Sequence, residues 1–284
     1  VAEGLTMPYL LLLLVFVISV FGVSSVSHAE PFTLPRTNTV LVKGKHTENE
    51  YPITIKLPRS YQAQSQKRYP VVYLLDANYS LPIASGVSRF MMNSGAMEEV
   101  IIVAVGYQKG VPGLNSRIYD YTPFEDKNWQ RKTGGASQYL NFLKQSVLPY
   151  IKAHYRTNQK STLVGNSLGG LFASFTLFTE PSLFSSYIIG SPSVWFKQHS
   201  LLALPVVPAA NTTKVYIAVG ELEESEGEKM VSGARQLAAK INKQSGALVT
   251  TNLFVIPQAR HATAFPTTIT QALDWIYQTN TNPQ

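Results

Sequence analysis

Val164-Gly165-Asn166-Ser167-Leu168-Gly169-Gly170-Leu171 sets one serine between two glycines, each two positions away. Upstream, residues 161–164 form a short β-type run, and downstream an apolar run of helical character extends over 168–179. A serine at the apex of so tight a strand-to-helix turn is a nucleophile elbow. Side chains two residues to either side would collide there, so Gly165 and Gly169 are both expected to need no Cβ, or nearly so. The strain of the turn holds the hydroxyl clear of the sheet, where a base and a substrate carbonyl can both reach it.

Outward from the elbow, strand and helix patterns alternate. Residues 71–75, 100–105 and 215–219 are continuous apolar runs, as expected of strands buried on both faces. Residues 39–42 and 51–57 read as earlier strands, the second alternating Ile53, Ile55 and Leu57 with polar neighbours. Residues 187–189 and 249–256 complete the strand candidates. Leu140, Leu143, Val147, Tyr150 and Ile151 lie at helical spacing over 138–154, where Pro149 can kink or divide the helix. Further helices are expected over 168–179, 228–243 and 267–277, and the polar segment between 75 and 100 can hold another. This order implies an α/β fold with a mainly parallel central sheet, helices on both faces and antiparallel N-terminal strands. With the elbow, it is the pattern of an α/β-hydrolase fold. The proline- and alanine-rich stretch 202–210 is too short for a large lid.

At 284 residues and 45% hydrophobic, the chain can bury one large core, and a single domain is expected over 30–284. Residues 10–23 are almost wholly apolar and lead to Ser27-His28-Ala29, so residues 1–29 read as a signal peptide cleaved before Glu30. No Lys or Arg precedes the apolar run, which departs from the usual pattern. The run is short against the roughly 20 residues of a membrane span, so no stable membrane insertion is expected after cleavage. Localisation is then periplasmic or secreted. The chain has no cysteine, which excludes a disulfide framework, a thiol nucleophile and thiolate metal sites. Its net charge of +7 is scattered rather than blocked, so nucleic acid is not an expected partner.

A serine hydroxyl needs a base, and the base needs an orienting acid. In this fold both follow the serine, acid first and histidine last. Of His28, His46, His154, His199 and His261, only His261 sits just past the last strand, in Pro257-Gln258-Ala259-Arg260-His261. The loop after 215–219 offers Glu221, Glu223, Glu224, Glu226 and Glu228, with Glu226 and Glu228 fitting an acidic first helical turn. Asp76 stands in the wrong chain order and suits a turn or cap. The oxyanion of the tetrahedral intermediate needs the N–H of Leu168 and a second from the loop after 71–75: Asn78, or Ala77 or Tyr79.

Four segments in this order resemble a known family: Tyr69-Pro-Val-Val-Tyr-Leu-Leu-Asp76, Arg117-Ile-Tyr-Asp-Tyr-Thr-Pro123, Val164 to Leu171 as quoted above, and Gly190-Ser-Pro-Ser-Val-Trp195. Together they are similar to the putative-esterase family of α/β-hydrolases, with its periplasmic siderophore esterases and related small serine esterases. The resemblance covers about 51–277. Asn166 departs from the histidine common at that position. The resemblance implies a serine carboxylesterase working on a small-molecule ester without metal or organic cofactor, with a siderophore trilactone as one candidate substrate. It maps the acid to Glu223, three residues beyond Gly220, although some relatives work with a Ser-His dyad. It turns Arg117 toward the active site to bind substrate, against an internal ion pair with Asp120 or Asp126. Trp195 and Tyr121 are then candidates to line an acyl or aromatic pocket, or to be plain core. Acyl transfer to an acceptor other than water, and an inactive binding module of hydrolase ancestry, are the competing functions.

Overall fold

Eight strands in the order β1-β2-β4-β3-β5-β6-β7-β8 form one sheet among the residues described by a computed structural model, 30–225 and 228–279. The expected signal peptide and Glu226 lie outside them. The chain divides into units Val1–Leu34 and Pro35–Gln284, and every element below belongs to the second. Strands β1 (Thr37–Lys43) and β2 (Glu50–Lys56) pair antiparallel, and β2 pairs antiparallel with β4 (Ile101–Val105). From there β3 (Tyr69–Leu74), β5 (Thr157–Asn166), β6 (Ser186–Gly190), β7 (Thr213–Gly220) and β8 (Val249–Ile256) run parallel.

The continuous apolar runs are explained by cover on both faces. Tyr69, Val71 and Tyr73 of β3 join the large core on one side, while Val72 and Leu74, equally buried, face the other. Helix α1 (Ala77–Asn93) follows β3, α2 (Gly113–Tyr121) follows β4, and α3 (Ala136–Phe142) leads toward β5. A π-turn at Leu143–Val147 joins α3 to α4 (Leu148–His154). Pro149, in the first turn of α4, cannot donate to the carbonyl four residues back, and the widened turn accommodates it. The interruption expected at Pro149 therefore falls one turn earlier.

Helix α5 (Leu168–Thr179) is buried from Leu168 through Phe178, packed on β5 and β6 with α2 and α3 over it. Such all-round burial is why its sequence is apolar on every face. Helix α6 (Met230–Gln244) packs on β7 and β8, and α7 (His261–Tyr277) on β6, β7 and α1. Two expectations are corrected here. Helix α6 starts at Met230 rather than 228 and has no acidic first turn, so Glu228 precedes it. Helix α7 starts at His261, six residues before the expected 267, because Pro266 lies inside it rather than ahead of it.

Candidate active site

Five neighbouring parallel strands deliver the site residues to one edge of the sheet. Asp76 follows β3, Ser167 follows β5, Ser191 and Ser193 follow β6, Glu223 follows β7, and His261 follows β8. The carboxyl ends of parallel strands are where ligands bind in α/β sheets.

Ser167 has φ 59° and ψ −118°, a conformation sparsely populated by residues with a Cβ. Neighbouring hydrogen bonds hold it there: its N–H donates to the Gly190 carbonyl at 2.9 Å, and its carbonyl accepts from Ser193 N–H at 3.1 Å. A Cβ on Gly165 would lie 2.0 Å from the carbonyl oxygen of Gly169, so glycine is obligatory at 165. Gly169 differs from expectation. The nearest atom to a Cβ there is Asp76 Oδ2 at 3.4 Å, ordinary contact, whereas a Cβ on Gly170 would meet the Gly190 carbonyl oxygen at 2.7 Å. The close approach of α5 to β6 falls on Gly170.

Glu223 lies in the short 3₁₀ turn Glu221–Glu224 directly after β7 and is 1% exposed. Its Oε2 is 2.6 Å from His261 Nδ1, and its Oε1 accepts the Ser191 hydroxyl and the Gly220 N–H, each at 2.7 Å. Burial by itself would push the carboxyl pKa up; the hydrogen bonds from His261, Ser191 and Gly220 overcome it and hold the pKa below the ordinary value of 4.5. The acid and histidine loops are tied together. Leu222 N–H donates to the Ala259 carbonyl at 3.0 Å, and Gln258 N–H to Glu221 Oε2 at 2.9 Å. The Nδ1 contact leaves Nε2 as the ring nitrogen free to face a nucleophile. Ser167 and His261 share the walls of a cavity of about 270 Å³ with Ser193, Trp195, Glu228 and Met230. Within it Ser167 Oγ is 3.3 Å from Ser193 Oγ. The sequence reading missed Ser191 and Ser193, although both stand in the quoted Gly190 to Trp195 segment.

Leu168 opens α5 and Asn78 lies in the first turn of α1, so their N–H groups have no carbonyl one turn back within the helix. The same holds for Ala77. Tyr79 is eliminated as a donor, because its N–H is bonded to the Asp76 carbonyl at 2.9 Å. Trp195 borders the cavity and stacks on Trp129 with ring centroids 6.3 Å apart. Through Trp195 and Glu228 the cavity adjoins a wider groove of about 550 Å³ flanked by Trp129, Lys197, His199 and Lys229.

Two expected substrate-binding residues are placed otherwise. Tyr121 is 1% exposed, and its hydroxyl accepts the Asp76 N–H at 3.2 Å, so it is buried support rather than pocket wall. Arg117 forms neither the ion pair with Asp120 nor the one with Asp126; it grips Asp76 through Nε–Oδ1 at 2.8 Å and Nη2–Oδ2 at 3.0 Å. Asp76 holds the N-cap position of α1 in left-handed conformation, and its carboxylate also accepts the Tyr107 hydroxyl at 2.8 Å instead of capping the helix. No group of three or more His, Cys, Asp or Glu side chains able to hold a metal occurs among the described residues.

An acid-histidine pair fixed beside a serine elbow, on a sheet of this order, defines a serine hydrolase of the α/β class. The chain belongs to the Putative esterase family, whose profile matches residues 44–254. It is 28% identical over 263 residues to the ferri-bacillibactin esterase BesA of Bacillus subtilis, covering 85% of this chain and 90% of that protein. It is 29% identical over 230 residues to the apo-salmochelin esterase of Escherichia coli, covering 75% of this chain and 71% of that one. An IroE-like serine hydrolase from Shewanella oneidensis superposes with TM-score 0.71 at 25% identity, over 85% of this chain and 80% of that structure. The protein is a serine esterase acting on ester bonds.

Proposed function

We propose that the protein hydrolyses ester bonds of a siderophore through an acyl-enzyme formed on Ser167. His261 Nε2 takes the hydroxyl proton as Ser167 Oγ attacks the carbonyl, then gives it to the departing alcohol. Glu223 fixes the imidazole tautomer and balances its transient positive charge. The N–H groups of Leu168 and Asn78 hold the oxyanion, with Ala77 the alternative to Asn78. Water then enters, activated by the same imidazole, and releases the acid.

The observation that carries this reading is the 2.6 Å contact between His261 Nδ1 and Glu223 Oε2 at the rim of a cavity shared with Ser167. The substrate class rests on the relatives named for siderophores and on room for a large ligand. The cavity alone is at the small end of ligand sites, while the adjoining groove with its paired indoles accommodates the bulk of a multi-ring ester. The apolar segment at 10–23 supports an exported, periplasmic or secreted protein. Among the described residues no helix is long and apolar enough to cross a membrane.

The test is steady-state hydrolysis of short p-nitrophenyl esters alongside cyclic and linear catecholate siderophore esters, with product analysis. A higher kcat/KM on the siderophore esters, reduced at least about 10⁴-fold in Ser167→Ala, is the expected result. Faster turnover of the simple esters would remove the siderophore assignment. A Ser167→Ala variant of near-full activity would remove the nucleophile.

A further inference from the structure

The two segments assigned the oxyanion amides, Asn78 and Leu168, lie 90 residues apart, yet one side chain bonds to both. Arg117 Nη2 donates to Asp76 Oδ2 at 3.0 Å and to the backbone carbonyl of Asn166 at 3.2 Å. Asp76 immediately precedes Ala77 and Asn78; Asn166 immediately precedes Ser167. The loops touch at this point, since a Cβ placed on Gly169 would lie 3.4 Å from Asp76 Oδ2 and 3.6 Å from Leu75 Cδ1.

Asp76 is held from every side. Its φ of 56° and ψ of 52° are left-handed, a conformation uncommon for residues with a Cβ. Tyr121 accepts its N–H, Tyr107 donates to Oδ1, and the Arg117 fork takes both carboxylate oxygens. The left-handed turn is what swings the chain from β3 into the first turn of α1, where the Ala77 and Asn78 amides lie. The pair is shielded, with side-chain exposures of 19% for Arg117 and 7% for Asp76. A planar guanidinium can span two acceptors on different segments at fixed angles, which a lysine ammonium on a flexible stem does not do. Arg117, Tyr107 and Tyr121 come from the β4 to α2 region, so a third part of the chain determines the spacing between the other two.

We propose that Arg117 is a positioning residue that sets the distance between the two halves of the oxyanion hole by clamping Asp76 to Asn166. The proposal rests on the reading of Ser167 as nucleophile. Removing the fork lets the α1 N-terminus drift from the elbow, so the loss appears in the transition state, where the oxyanion forms, rather than in ground-state binding.

The experiment measures kcat and KM of Arg117→Lys and Tyr107→Phe on an uncharged p-nitrophenyl ester, with melting temperatures and the rate of covalent labelling by a fluorophosphonate. Ser167→Ala runs in parallel. Arg117→Lys is expected to lose about 10- to 100-fold in kcat and a similar factor in labelling rate, with KM within about threefold of wild type. Tyr107→Phe, which keeps the fork, is expected to lose about three- to tenfold in kcat and decides the matter if Arg117→Lys does not fold. Wild-type kcat in a folded Arg117→Lys overturns the proposal, as does a raised KM at unchanged kcat, which would make Arg117 a substrate-binding residue. If Arg117→Lys does not fold, wild-type kcat in Tyr107→Phe overturns it. An active Ser167→Ala would instead sink the nucleophile assignment on which the proposal stands.

Discussion

At the scale of single residues, Glu223 concentrates the hydrogen bonds of the candidate site. A carboxylate 1% exposed is costly unless its oxygens are satisfied, and here three donors converge on it. Glu223→Gln replaces an acceptor of the His261 N–H with a group that can present an amide donor, so the imidazole loses its tautomeric control. We expect kcat to fall by about 10²- to 10⁴-fold, against less than about tenfold for Glu221→Gln, whose amide oxygen can still accept the Gln258 N–H. Equal, small losses would indicate a serine-histidine dyad. Because the folded state holds the Glu223 pKa below 4.5, its ionised form adds stability above that pH, and the contribution disappears as pH falls through the lower folded value. Thermal melts of wild type and Glu223→Gln should therefore converge on acidification below pH 4.5. A gap that stays constant would contradict the linkage. The meeting of Ser167 and His261 at one cavity was legible in the sequence from chain order, and the contact of His261 with Glu223 from the family resemblance. Ser191, Ser193 and the true partner of Arg117 were not, since no periodicity records which loops meet across the end of a sheet.

At the scale of elements, the turns define what the site tolerates. Gly165→Ala drives a Cβ to 2.0 Å from backbone and should destabilise by about 3 kcal/mol or more. Gly169→Ala meets nothing closer than 3.4 Å and gains helix propensity, so it should change stability by less than about 1 kcal/mol. Gly220→Ala would put a Cβ 2.4 Å from the Ala259 carbonyl oxygen and 2.9 Å from Glu223 Oε1, pushing the acid and histidine loops apart. Its expected signature is lost kcat beyond what its melting temperature explains. Chemical denaturation and ester hydrolysis of the three variants check this order; a Gly169→Ala as damaged as Gly165→Ala would refute it. The motif presents both flanking glycines as equal, and only the packing shows that Gly165 and Gly170 carry the steric load. Element boundaries were blurred for a similar reason. Pro266 reads locally as a helix start, but α7 packs along β6, β7 and α1, and that tertiary support carries the helix past the proline to His261.

At the scale of the whole molecule, the eight-stranded sheet brings five loops to one end, and the candidate active-site cavity lies there. The alternation of buried runs with helices sufficed to read this architecture, since a parallel sheet covered on both faces demands it. The cavity and its adjoining groove were not readable, because they are made by the arrangement of separate loops rather than by any one stretch. The proposed chemistry depends on an activated hydroxyl at Ser167, oriented by His261 and Glu223. The most direct measurement is intact-mass and peptide mapping of the folded protein after treatment with a fluorophosphonate. One adduct on the peptide containing Ser167, absent in Ser167→Ala and slowed in His261→Ala and Glu223→Gln, is the expected result. An adduct elsewhere, or no adduct on folded wild-type protein, would contradict it.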